Sequence, residues 1–99
     1  MNAYSRLYAD TEARMSQLLG DLGQSFTESE RNEVNRFLDA REYGLALETL
    51  SCILVEETKT IATTTLHGID ELAGVMQLRD ERFMYDLHNF YDRQQGIVV

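Results

Sequence analysis

The stretch Tyr43-Gly44-Leu45-Ala46-Leu47-Glu48-Thr49-Leu50-Ser51-Cys52-Ile53-Leu54-Val55-Glu56 decides the fold. It is long for a buried strand and lacks β alternation, so its period is helical. Tyr43, Leu45, Ala46, Leu47, Leu50, Cys52, Ile53, Leu54 and Val55 make it apolar almost all the way round, and Glu48, Thr49 and Glu56 are left to face out. A helix with that pattern belongs in the middle of a bundle. The chain around it is therefore read as the set of helices that cover it.

Upstream, Thr27-Glu28-Ser29-Glu30 spells a capping box, with Thr27 bonding the third helical N–H and Glu30 reaching back. The helix it starts buries Val34, Phe37 and Leu38 and shows Glu28, Asn32, Arg36 and Asp39 outward. Asp39 with Glu42 reads as a second capping pair, and Leu38 with Tyr43 as the hydrophobic staple around it. A first helix carries Tyr4, Leu7, Tyr8, Met15, Leu18, Leu19 and Leu22 on one stripe and stops at Gly23.

Downstream, Thr58 to Thr63 is a threonine-rich connection of irregular type. A fourth helix follows with Leu66, Ile69, Leu72, Ala73 and Met76 inward and His67, Asp70 and Glu71 off the stripe. Asp80 is the expected N-cap of a fifth, with Phe83, Met84, Leu87, Phe90 and Tyr91 inward. Gly96 ends it, leaving the apolar tail Ile97-Val98-Val99. The expected fold is all-α: one domain over residues 1–99, a compact bundle of about five helices around a largely apolar central third helix.

Charge narrows the function. Seventeen acidic residues against nine basic ones give a net charge of −8. Such a field repels phosphate backbones and anionic lipid, and it attracts basic partners. Direct nucleic-acid binding and membrane binding are therefore not expected. The N-terminus has no apolar leader, and no segment approaches membrane-spanning length, so a cytoplasmic protein is expected. Cys52 is alone, which excludes an internal disulfide, and its apolar neighbours mark it as a small core residue.

Motifs for chemistry are missing. There is no phosphate loop, zinc signature, calcium loop or serine elbow. His67 and His88 fall on different helices without patterned carboxylates, so no metal or cofactor is expected. Glu56-Glu57 and Asp70-Glu71 are adjacent pairs, and neighbours on a helix point about 100° apart, so neither is a ready-made catalytic dyad. A helix-turn-helix regulator would need a basic, polar recognition helix, and the third helix has Arg41 near its start and then glutamates. What remains is a binding surface. Tyr85 lies opposite its helix's apolar stripe beside Arg82 and Asn89, and exposed Tyr and Arg are hot-spot residue types.

Phe26-Thr27-Glu28-Ser29-Glu30, Val34, Phe37-Leu38 and Glu42-Tyr43-Gly44-Leu45-Ala46-Leu47-Glu48-Thr49-Leu50 resemble the MafI-like immunity proteins of bacterial polymorphic-toxin and contact-dependent growth inhibition systems. The similarity runs on at Leu54, Glu56, Glu57, Ile61 and Ile69 to Leu78, so it covers roughly Phe26 to Leu78, about half the chain, and departs at Lys59-Thr60-Ile61, where such proteins often carry a proline. The resemblance implies a cytoplasmic antitoxin without enzyme activity. Its expected partner is one cognate toxin domain, and many such toxins are basic nucleases. An acidic helical adaptor or helix-turn-helix-like regulator is the alternative, and a small enzyme with carboxylates assembled across helices is a third class. The expected partner-binding residues are Glu56, Glu57, Asp70 and Glu71, around the connection between the third and fourth helices, with Tyr85 as aromatic anchor. Gly44, early in a helix, suggests close backbone approach by another helix or by the partner.

Overall fold

A computed structural model describes the backbone of residues 3–96 and the side chains of residues 8–96. The Tyr4 and Leu7 side chains and the tail Ile97-Val98-Val99 lie outside the described residues. The order is α1 (Ala3–Leu22), a short 3₁₀ turn (Gly23–Ser25), α2 (Glu28–Asp39), α3 (Tyr43–Glu56), α4 (Thr63–Val75) and α5 (Arg82–Gln94), with no strand among the described residues. The all-α five-helix architecture is as read.

Helix α3 is the axis of the fold. It packs against each of the other four helices, while α2 and α5 pack mainly on α3 and α1 pairs with α4. Ala46, Leu47, Leu50 and Leu54 are fully buried on it, and Val34, Ile69, Ala73 and Leu87 meet them from the surrounding helices. Leu45 is a correction: it is 46% exposed. It sits one turn before Glu48 and two before Cys52, so it shares the strip of α3 that faces solvent. Tyr8 is likewise 48% exposed rather than part of the buried stripe, its ring leaning on Tyr43 at 5.9 Å. Thr11 and Thr65, by contrast, are buried.

Ser51 is buried on the same helix, and its hydroxyl has no hydrogen-bond partner among the described residues. A buried unpaired hydroxyl costs about 1–3 kcal/mol of desolvation. Ser51→Ala is therefore expected to raise the urea midpoint, and a lowered midpoint would mean the hydroxyl is bonded in solution.

The helix ends show where local reading succeeds and fails. The capping box is present: Glu30 N–H donates to Thr27 Oγ1 at 3.1 Å and Thr27 N–H donates to Glu30 Oε1 at 2.8 Å. The Asp39–Glu42 pair does not cap α3. Asp39 is the last residue of α2, and the N-cap Glu42 makes no side-chain cap bond. A Schellman turn joins the two helices: Arg41 takes φ 59°, Arg41 N–H donates to Leu38 O and Glu42 N–H donates to Phe37 O. The same pattern ends α3 at Thr58 and α4 at Gln77, again without glycine. Asp80 also falls outside its expected role, because α5 begins at Arg82 and its N-cap is Glu81, with no side-chain cap bond. Gly96, at φ 75°, does terminate α5.

No other helix among the described residues brings its backbone close to Gly44. A Cβ there would meet only Leu78 Cδ1, at 3.5 Å, which is ordinary van der Waals distance. Gly44→Ala is expected to stabilise the protein by up to about 1 kcal/mol through the helix-propensity gain. Chemical denaturation checks this, and a loss of stability would show that Leu78 cannot give way.

The connection after α3 is irregular, as expected, but it is pinned. Lys59 Nζ pairs with Glu30 Oε1 at 2.9 Å and lies over the Phe26 ring. Gln94 of α5 receives the Ile61 N–H at Oε1 and donates from Nε2 to Lys59 O at 2.7 Å. Ile61 is buried beneath. The capping box and Lys59 together hold the Glu30 carboxyl below its ordinary range, the Thr27 N–H being the larger cause.

Candidate functional site

Helix α3 shows solvent a narrow strip with Glu48, Cys52 and Glu56 at successive turns. The Schellman turn after Leu38 folds α2 back beside this strip, and Glu30 and Glu33 form the opposite wall. The result is a groove of about 340 Å³ lined by Glu30, Glu33, Glu48, Thr49, Cys52, Ile53, Glu56 and Glu57. Lys59 pairs only with Glu30, so Glu33, Glu48, Glu56 and Glu57 have no ion pair among the described residues. Five glutamates in one groove with Lys59 pairing only one of them present a net negative field.

Cys52 is half-buried at the floor of this groove, not wholly in the core. Burial pushes its thiol up from the ordinary value of 9.0, and Glu48, Glu56 and Asp86 push it further. Both causes disfavour the thiolate, the reactive form of a cysteine. The α3 strip also carries no cation, so it is a poor match for a helix that reads DNA.

The other expected residues are not gathered at the connection. Asp70 lies in the second turn of α4, beyond its start at Thr63. Its carboxylate faces α5, where His88 Nε2 lies 2.6 Å from Asp70 Oδ1. Those two residues line a separate groove with Arg79, Met84 and Tyr85. Tyr85 is exposed as expected, at 56%. Glu71, next to Asp70 but rotated away, belongs to a third groove between α1 and α4, where Arg14 approaches it at 3.9 Å. Both side chains of that pair are exposed, so it adds little stability. The structure thus brings Glu56 and Glu57 together, places Asp70 and Tyr85 along one separate groove, and sets Glu71 apart. Glu48, read only as outward-facing, was missing from the expected set, and so were Glu30 and Glu33 of α2. The signal for the latter two is the capping box itself, which fixes where α2 starts and so which side of it faces α3.

No group of three or more His, Cys, Asp or Glu among the described residues is arranged to hold a metal ion. No described helix is long and apolar enough to cross a membrane. No family model, curated protein or solved structure matches this chain.

Proposed function

We propose that this chain is an immunity protein that binds a cognate bacterial toxin domain and neutralises it. The observation that carries the reading is the α2–α3 groove, where four carboxylates stand without ion pairs among the described residues in a chain of net charge −8. A nuclease must grip phosphate with a basic surface. A row of carboxylates on a rigid helix pair is complementary to that surface and can occupy it in place of the substrate. The opposite fields also speed encounter, which suits an inhibitor that must act before its target does damage. On this reading the protein works in the cytoplasm and catalyses nothing itself.

The test is direct. The toxin domain encoded immediately upstream of this gene is purified and mixed with the chain. The expected result is an equimolar complex and loss of nuclease activity at equimolar ratio. Full nuclease activity in the presence of excess chain would overturn the proposal.

A further inference from the structure

We infer that the α4–α5 groove is a receptor for a carboxylate group presented by a protein partner, with Arg79 as the residue that binds it. The groove, about 380 Å³, is lined by Asp70, Arg79, Met84, Tyr85 and His88. Arg79 is exposed, yet it is held in place from two sides. Its Nε donates to the backbone oxygen of Asp70 at 3.3 Å. Its guanidinium lies flat against Gly74 of α4. A Cβ at that position would stand 2.5 Å from Nη2, 2.6 Å from Cζ and 2.9 Å from Nε. Glycine is unfavourable inside a helix, and here it makes the room in which the guanidinium rests.

The consequence is a guanidinium restrained by the α4 backbone beside it. Arg79 makes no ion pair among the described residues. The neighbouring Asp70 carboxylate is engaged by His88 at 2.6 Å. The two terminal nitrogens match the two oxygens of a carboxylate in a parallel fork. Because the side chain is already restrained, less freedom is lost on binding than for a floppy surface arginine. Tyr85, 56% exposed, and the buried Met84 line the same groove as Arg79. Tyr and Arg together are the residue types that anchor interfaces. The charge of Asp70 beside the groove disfavours a doubly charged phosphate more than a single carboxylate. This inference concerns a different surface and the opposite ligand charge from the toxin-neutralising groove, and it stands whether or not that reading does.

The experiment is an NMR titration of the ¹⁵N-labelled full chain with benzoate, and in parallel with benzamidine, its cationic counterpart. Benzoate is expected to give saturable shifts at the Gly74 amide, the Arg79 Nε–H and the His88 ring, and benzamidine none. Arg79→Gln is expected to weaken benzoate binding by about tenfold or more, the loss of charge-assisted hydrogen bonds. Gly74→Ala is expected to weaken it as well, with the arginine retained but displaced. Should Arg79→Gln perturb the fold, Arg79→Lys keeps the charge and loses the planar fork, and the same weakening is expected. Shifts that fail to saturate, that benzamidine reproduces, or that survive the Arg79 substitutions would overturn the inference.

Discussion

Leu50→Ala is expected to cost about 2–5 kcal/mol, through lost transfer energy and the cavity left behind. Leu50 has no exposed surface and sits at the middle of α3, the helix that touches all four others. Neighbours can collapse into such a cavity only by shifting whole helices, which places the cost toward the upper part of the range. A domain of this size is stable by about 5–15 kcal/mol, so the substitution removes a large fraction of that. The thermal midpoint should fall by roughly 10 °C or more. Urea denaturation of both forms measures the difference. A loss below about 1 kcal/mol, typical of surface positions, would mean that α3 is not the centre of the core.

Much of this core was legible because it depends on composition at helical spacing. Leu47, Leu50 and Leu54 are buried in the structure and lie on the most apolar segment of the chain. The Thr27–Glu30 capping box was legible for a similar reason: its chemistry closes within three residues. Asp39 and Glu42 have the same spacing and are also capping-type residues, yet α2 continues through Asp39. The competing Schellman turn uses Arg41 in the left-handed region, where no glycine announces it. Leu45 shows another limit, since apolarity alone does not say which strip of a central helix is left uncovered.

The site was less legible than the fold. Glu56, Glu57, Asp70 and Glu71 are close in sequence to one connection, but a groove is made by helix rotation and packing. Adjacent residues Asp70 and Glu71 face different neighbours, α5 and α1 respectively. The Asp70–His88 hydrogen bond spans eighteen residues and two helices, and no local pattern encodes it. Glu48 was legible as outward-facing and Glu33 only as part of a general acidity; that they share a groove depends on how α2 lies against α3.

The proposed function makes its largest demand on the acidic groove. Glu56 and Glu57 lie on its rim, exposed and without ion pairs among the described residues, so reversing them should change the field and leave the core alone. Electrostatic steering raises association rates by about 10–1,000-fold and weakens with salt, since the Debye length is only about 8 Å at physiological ionic strength. The central measurement is stopped-flow association of the chain with its toxin domain across a range of salt concentrations. It compares the native protein with the Glu56→Lys/Glu57→Lys variant, the thermal midpoints being checked alongside. The expected result is a rate for the native chain that falls steeply with salt. For the variant, the expected rate is at least about tenfold lower at low salt, with a flattened salt dependence and little change in midpoint. An association rate indifferent to both salt and charge reversal would contradict the account.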